Sequence, residues 1–449
     1  MAAISESAQL RSFNPPSRTT YRVLVLCFLT IVAEGYDIGV MGTIVPSLLS
    51  DPVWKLTPME IGAMGSAALF GTLFGSYFIS VISDLVGRKL LLINCVALFS
   101  LSMLGAAWAP TPFLFSVSRF IGGLGLGGVI SAAAALTVEY SPSDKRNLNF
   151  ALMYSGYSLG ALLSAVIGIF FVQSHGWRFV VALGASPLLA LPLLVWLLPE
   201  SLDFLLAKGK ETQATTLARR LGIDSSVFQR ASRNVAPKPS LDAVFREVFS
   251  PQNCWTTVCL WVAQVAAVLV IYGLGTWLPQ LMRKLGYDLG SSLSFLAVFM
   301  LSSALGGILI GQISDRLGAR KTIVAGYIIG ALAVCGLTLK GSLVFNYALV
   351  ALAGFGSIGV AMVQLAFIAN FYRAHARASA TGWAVGIGRF GAMSGPMVGA
   401  WLAAHNVEVQ WNFYAFAASA LVAALAIALT GKPRSRTAHV DSSSVSLEG

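Results

Sequence analysis

Twelve runs of mostly apolar residues follow one another along this chain, approximately at 22–49, 59–82, 90–108, 112–139, 148–172, 178–198, 254–281, 290–313, 322–340, 344–371, 379–403 and 411–430. Each is close to the roughly 20 residues that a helix needs to cross a hydrocarbon layer about 30 Å thick. Composition agrees with that reading. Of 449 residues, 56% are hydrophobic and 11% charged, whereas a soluble domain carries about 25% charged residues. The same figures exclude disorder. Five cysteines, odd in number and sparse, make no disulfide scaffold and read as small apolar packing residues. The first run is too long for a cleaved signal peptide, and no small-residue cleavage site follows it before the second.

Lysine and arginine set the orientation. With the N-terminus inside, the inner segments collect Arg11, Arg18, Arg22, Arg88, Lys89, Lys145, Arg146, Arg316, Arg320, Lys321, Arg373, Arg377, Lys432, Arg434 and Arg436. Only Lys55, Arg178, Arg283, Lys284 and Lys340 fall outside. Positive charge near short loops stays on the cytoplasmic side, so both termini are expected there, in a plasma (bacterial inner) membrane. The net charge of +11 thus reads as topology, not as a nucleic-acid surface.

The one long polar stretch divides the runs six and six. The expected organisation is a tail at 1–20, a six-helix bundle at 21–199, a cytoplasmic loop at 200–251, a second bundle at 252–430 and a tail at 431–449. The chain also repeats itself at an offset of 231 residues. Asp84 maps to Asp315, Gly87 to Gly318, Lys89 to Arg320, Arg146 to Arg377, Gly160 to Gly391 and Gly168 to Gly399. The fold class is therefore an all-α polytopic membrane protein with twelve transmembrane helices in two related halves, an arrangement used by many secondary transporters.

An ionised residue at the bilayer centre costs about 2.5–3.5 kcal/mol by insertion scales. Glu34 and Asp37 stand near the middle of the first run, three residues apart and on one helix face. Arg119 lies in the outer part of the fourth run and Arg389 near the centre of the eleventh. At the 231 offset these four map to Val265, Val268, Val350 and Ser158, so the buried charges do not recur although the loops do. Residues that only pack helices tend to recur; residues that read a ligand need not.

The loop SVISDLVGRK at Ser80–Lys89 and its copy GQISDRLGARK at Gly311–Lys321 resemble the signature loop of the major facilitator superfamily. The first copy carries Ser80 and Leu85 where the pattern has Gly and Arg. RFIGGLGLGG from Arg119, then Glu139, Pro142 and Arg146, agree as well. Within that superfamily the chain is similar to the aromatic acid:proton symporters. AEGYDIGVMGTIVP at Ala33–Pro46 follows their Asp-Gly-x-Asp pattern with Glu34 for the first Asp, and the Gly-x-Gly-Arg pattern appears around Arg389. The resemblance implies alternating access and import of a small aromatic carboxylate of benzoate, hydroxybenzoate or phenylpropanoate type. It implies gating roles for Asp84, Arg88, Glu139, Arg146, Asp315, Arg316, Arg320 and Arg377. Another organic anion, nicotinate, a sugar or a drug remain the alternative substrates.

Two acids and two arginines balance when all are ionised. Bringing a carboxylate into such a site is unfavourable unless a proton comes too, and close carboxylates favour protonation of one of them. The four histidines fall at helix ends, in a loop or in a tail, so a carboxylate must carry the proton, with Asp37 preferred over Glu34. Arg389 is the first choice for a substrate carboxylate because its planar fork binds two oxygens; Arg119 serves either the substrate or a structural pair with an acid of the first run. Tyr36, Tyr154, Tyr157, Tyr272 and Trp383 are candidates to face a ring, and Gln264, Gln364 and Asn370 to meet ring hydroxyls. Each also fits plain packing. No cofactor and no metal is expected. No Walker loop, nucleophile elbow or His-rich cluster suggests an enzyme. The expected partners are an aromatic acid, protons and lipid, with no nucleic acid, and the chain is expected to act as a monomer.

Overall fold

A computed structural model describes residues 16–142, 144–221, 241–339, 341–405 and 407–431, apart from the side chains at 80, 81, 83, 84, 147, 241, 374, 375 and 378. In lipid a backbone must satisfy its own hydrogen bonds, and helices do so within one segment. The first half comprises α1 (Ser17–Leu49), α2 (Pro58–Val86), α3 (Arg88–Ala107), α4 (Pro112–Glu139), α5 (Arg146–Leu183) and α6 (Pro187–Leu197). Three short helices follow: α7 (Leu202–Ala207), α8 (Glu211–Arg220) and α9 (Leu241–Val248). The second half comprises α10 (Cys254–Lys284), α11 (Leu289–Leu317), α12 (Ala319–Gly336), α13 (Leu343–Gly354), α14 (Val360–Phe371), α15 (Ala374–Ala404) and α16 (Val409–Ala428).

Ten stretches of the described residues are long and apolar enough to cross a membrane. One of them, Leu148–Leu197, holds two passes. The chain turns within it at Gly176, whose φ of 78° leaves the helical region. Ala374–Ala404, rich in Gly and carrying Arg389, adds the eleventh pass and brings the total to twelve. The tenth pass is α13 and α14 joined by a π-helical turn at Phe355–Gly359, packed against Gly306 and Gly330. An even number of passes returns both ends of the described chain to one side.

The repeat is structural as well as sequential. Gly87 and Gly318 end equivalent helices with φ of 101° and 89°. Gly160 of α5 lies against the Val32 carbonyl of α1, and Gly391 of α15 lies against the Val265 carbonyl of α10. These contacts also show that the first helix of each half is shifted. Gly42, Thr43 and Pro46 recur as Gly275, Thr276 and Pro279, an offset of 233 rather than 231. Glu34 and Asp37 then face Ala267 and Val270, which are still apolar.

The halves meet at the end opposite the termini. There the Gly42 and Gly275 backbones touch, Gly62 and Gly65 of α2 meet Ala400 and Pro396 of α15, and Gly168 of α5 meets Leu293 of α11. Ser66 Oγ donates to the Met393 carbonyl at 2.8 Å across the same seam. At the end carrying the termini, every ion pair formed by the described side chains stays outside the seam between halves. The far end of the first half is closed by a clamp. The Arg178 guanidinium lies over both the Trp54 and Trp177 rings, 4.9 and 4.5 Å from their centres. It also donates to the Ala107 and Ala109 carbonyls. Asp51 accepts from Trp177 Nε1 and from the amides of Val53 and Trp54. Burial raises the Asp51 carboxyl, but those bonds and the Arg178 charge outweigh it and hold it below the ordinary carboxylate value.

A Cβ on Gly160 would lie too close to the Val32 carbonyl and only 2.7 Å from the Tyr36 amide nitrogen. Overpacking of this kind costs about 1–3 kcal/mol. Gly160→Ala is expected to lower the melting temperature of the detergent-purified protein, with Gly176→Ala, which has no near neighbour, as a control for backbone strain alone.

Candidate functional site

Helix α1 carries two acids into the middle of the first half because its small residues, Gly35 and Gly39, let it lie directly on α5. Asp37 is 0% exposed and Arg119 2%. Arg119 Nη1 donates to Asp37 Oδ1 at 2.5 Å and Nη2 to the Asp37 carbonyl at 2.9 Å, so one guanidinium grips both side chain and backbone. Met103 Sδ accepts from Nη1 at 3.0 Å. Of the two roles open to Arg119, the structure places it in the pair with an acid of the first helix. The pair is not fully satisfied: Asp37 Oδ2 and Arg119 Nε are sealed and have no hydrogen-bond partner among the described residues.

Glu34, one turn before Asp37, is 4% exposed and forms no ion pair among the described residues. Its Oε2 is sealed without a hydrogen bond. The charges it feels are those of Arg389 and Asp37. Arg389, on α15 in the other half, is partly exposed and makes one long bond, 3.5 Å to Thr72 Oγ1 of α2. Its fork is thus free for a bidentate partner.

Aromatic rings line the same region. On α5, Phe150, Tyr154 and Tyr157 form a stacked ladder with centroid spacings of 6.1 and 6.2 Å and interplanar angles of 8° and 7°. The Tyr157 hydroxyl donates to the Tyr272 hydroxyl of α10 at 3.0 Å, a bond between the halves. Tyr154 and Tyr157 both interact electrostatically with Glu34. From the second half, Gln264 accepts from Gln364 Nε2 at 2.8 Å, beside Gly388.

Three expected ring or hydroxyl contacts lie elsewhere. Tyr36 turns its hydroxyl to the Val180 carbonyl, 2.7 Å away within its own half. Its place beside glycine on α1 suggested a ring contact, but helical neighbours point to different faces. Trp383 packs against Phe245 of α9, with centroids 4.8 Å apart and the rings tilted by 50°, and Asn370 is exposed near the end of α14. Thr72, Met103 and Tyr327 touch the site region without having been singled out; a hydroxyl, a thioether and a phenol inside apolar runs carry no charge signal.

The expected gating residues bond within their own halves. Arg88 Nη1 meets Glu139 Oε2 at 2.9 Å, and Glu139 also accepts from Ser201 Oγ and from the amides of Leu202 and Asp203. Arg320 donates to the Ala428 carbonyl at the end of α16. Arg146, Asp315, Arg316 and Arg377 are exposed, and the Asp84 side chain lies outside the described residues. Among the described side chains at this end, no ion pair joins the two halves.

A model of the Major Facilitator Superfamily matches residues 27–363 and again 294–446. The benzoate transport protein of Acinetobacter baylyi is 32% identical over 92% of this chain and 90% of its own length. The gallate transporter of Pseudomonas putida is 33% identical over 94% of each chain. The chain belongs to the major facilitator superfamily, in its aromatic acid transporter family. A 4-hydroxybenzoate transporter of Pseudomonas aeruginosa is 32% identical over 92% of both. The fold matches the inward-open xylose transporter XylE of E. coli with a TM-score of 0.76 at 17% identity, covering 93% of this chain and 98% of that one. The protein is a membrane transporter and not an enzyme. 

Removing one member of a buried pair leaves an uncompensated charge and costs about 3–5 kcal/mol. Arg119→Met is expected to lower thermal stability strongly, and adding Asp37→Asn to recover most of the loss. Melting curves of the two variants in one detergent check this.

Proposed function

We propose that this protein imports a small aromatic carboxylate together with a proton across a bacterial inner membrane, both termini being cytoplasmic, by alternating exposure of a site between its halves. The observation that carries this reading is that Arg389, held among the described residues only by a long bond to Thr72, acts electrostatically on Glu34 of the other half, whose sealed Oε2 has no hydrogen bond there. The relatives named for benzoate, gallate and 4-hydroxybenzoate support the substrate class.

The coupling follows from charge balance. In the empty site Arg389 is the cation nearest in effect to Glu34, while Asp37 is already neutralised by Arg119. An arriving carboxylate takes up the Arg389 charge and leaves Glu34 as a second anion in a low-dielectric space. A proton on Glu34 restores neutrality. This moves the preferred carrier from Asp37 to Glu34, with Asp37 and Arg119 as the fixed pair beside it. The Tyr154 and Tyr157 faces suit an aromatic ring. With the termini inside, the arrangement closed at the far end is the inward-facing one.

Proteoliposome uptake under an imposed pH gradient tests the reading, with labelled benzoate, hydroxybenzoates, gallate and nicotinate as the panel. Acid outside is expected to drive accumulation of at least one aromatic acid; uptake indifferent to the gradient sinks symport. Arg389→Lys keeps the charge but loses the fork. It is expected to weaken apparent affinity about tenfold, in line with about 1.5–3 kcal/mol for hydrogen bonds to charged groups. Glu34→Gln is expected to retain exchange of labelled for unlabelled substrate while losing accumulation driven by the pH gradient. Normal accumulation in that variant assigns the proton elsewhere.

A further inference from the structure

Gln264, Gln364 and Tyr327 come from α10, α14 and α12 and form a buried chain whose hydrogen bonds run one way. The Tyr327 hydroxyl donates to Gln364 Oε1 at 2.6 Å, and Gln364 Nε2 donates to Gln264 Oε1 at 2.8 Å. Tyr327 is 1% exposed and Gln364 0%, whereas Gln264 keeps 8%. Turning both amides over would suit the glutamines equally well, since each offers an acceptor and donors. It would not suit Tyr327. Its proton would then have no acceptor among the described residues, and a sealed donor left unpaired loses its full desolvation. The tyrosine at the closed end therefore fixes the direction of the whole chain.

At the open end stands Gln264 Nε2, an NH2 group with two donors. It makes no hydrogen bond among the described residues, yet it is not one of the sealed atoms without a partner. It lies beside Gly388, where a Cβ would come within 3.4 Å of Nε2, and the next residue is Arg389. Gly388 is required here because any side chain would press on Gln264 Cγ at 2.9 Å.

We propose that Gln264 determines specificity by donating to an oxygen acceptor on the substrate ring, and that Tyr327, acting through Gln364, is the positioning residue that sets this polarity. The inference rests on the aromatic carboxylate reading above, with the carboxylate held by Arg389. A ring hydroxyl or methoxy oxygen accepts from Nε2. A ring amine has its lone pair drawn into the ring and offers only donors, so it meets donors with donors.

Isothermal titration of the purified full chain tests this, using benzoate and its 3- and 4-hydroxy, methoxy and amino derivatives. At the ring position facing Gln264, the methoxy compound is expected to bind about 3–10-fold more tightly than the amine, the range set by one hydrogen bond. Tyr327→Phe lets both amides turn and is expected to bring that ratio towards one. Gln264→Met is expected to do the same by removing the donors. Melting curves report folding, and if Tyr327→Phe does not fold, Gln264→Met decides. An unchanged ratio in the folded variants overturns the proposal. So does an equal loss for benzoate and its derivatives in Gln264→Met, which would place the carboxylate on Gln264. Binding without preference in the unmodified chain overturns the inference alone, whereas no binding by any compound overturns the aromatic acid reading and the inference with it.

Discussion

Lipid solvates neither charges nor backbone, and this one constraint orders the rest of the molecule. It makes every spanning segment a helix. It also makes each charge inside the bilayer depend on a protein partner. Among the described residues, Asp37 and Arg119 are the ion pair held within the spans, and the surrounding parts keep it so. Met103 closes one side, and the Gly35 and Gly39 contacts seat α1 on α5 at the depth where Asp37 reaches α4. With that pair settled, Glu34 and Arg389 are left over in opposite halves, and the proposed site between halves rests on them.

The fold was largely legible because it rests on periodic and repeated features. Twelve apolar runs and a shared register pointed to two halves, and glycines placed at equivalent points, Gly160 and Gly391, hold equivalent helix pairs together. What escaped was local. The offset changes from 231 to 233 between the loops and the first helix of each half, which Pro46 and Pro279 would have revealed had they been aligned. The turn at Gly176, with its φ of 78°, was by contrast legible, since it falls in the gap between the fifth and sixth runs.

The site was legible where charge marked it and obscure where geometry alone decided. Four intramembrane charges could be picked out, but not which would pair, because Asp37 and Arg119 are 82 positions apart in sequence. The tyrosines divided by helix face: Tyr154 and Tyr157 stack towards Glu34, whereas Tyr36 turns into its own half. Tyr327 bears no mark in sequence at all. Its importance arises only once α12 and α14 are side by side and its proton has a single place to go.

The make-up of the seam between the halves suits the proposed change of sides. Among the described residues, its side-chain hydrogen bonds are Ser66 to Met393, Tyr157 to Tyr272, Arg283 to Pro46 and Arg389 to Thr72, the last two at 3.4 and 3.5 Å. No ion pair crosses it. A typical intramolecular hydrogen bond is worth only about 0.5–1.5 kcal/mol net, so the polar cost of parting the far end is small. The rest of the seam is glycine and apolar surface, and small residues let helices slide in lipid with little change in contact. The strong bonds, Arg119 to Asp37 and Arg88 to Glu139, stay inside one half. Under the proposed alternating access, the halves would thus move as rigid units, and the balance between their two arrangements would rest on the weakest elements of the seam, of which Arg389 and Tyr272 belong to the proposed site.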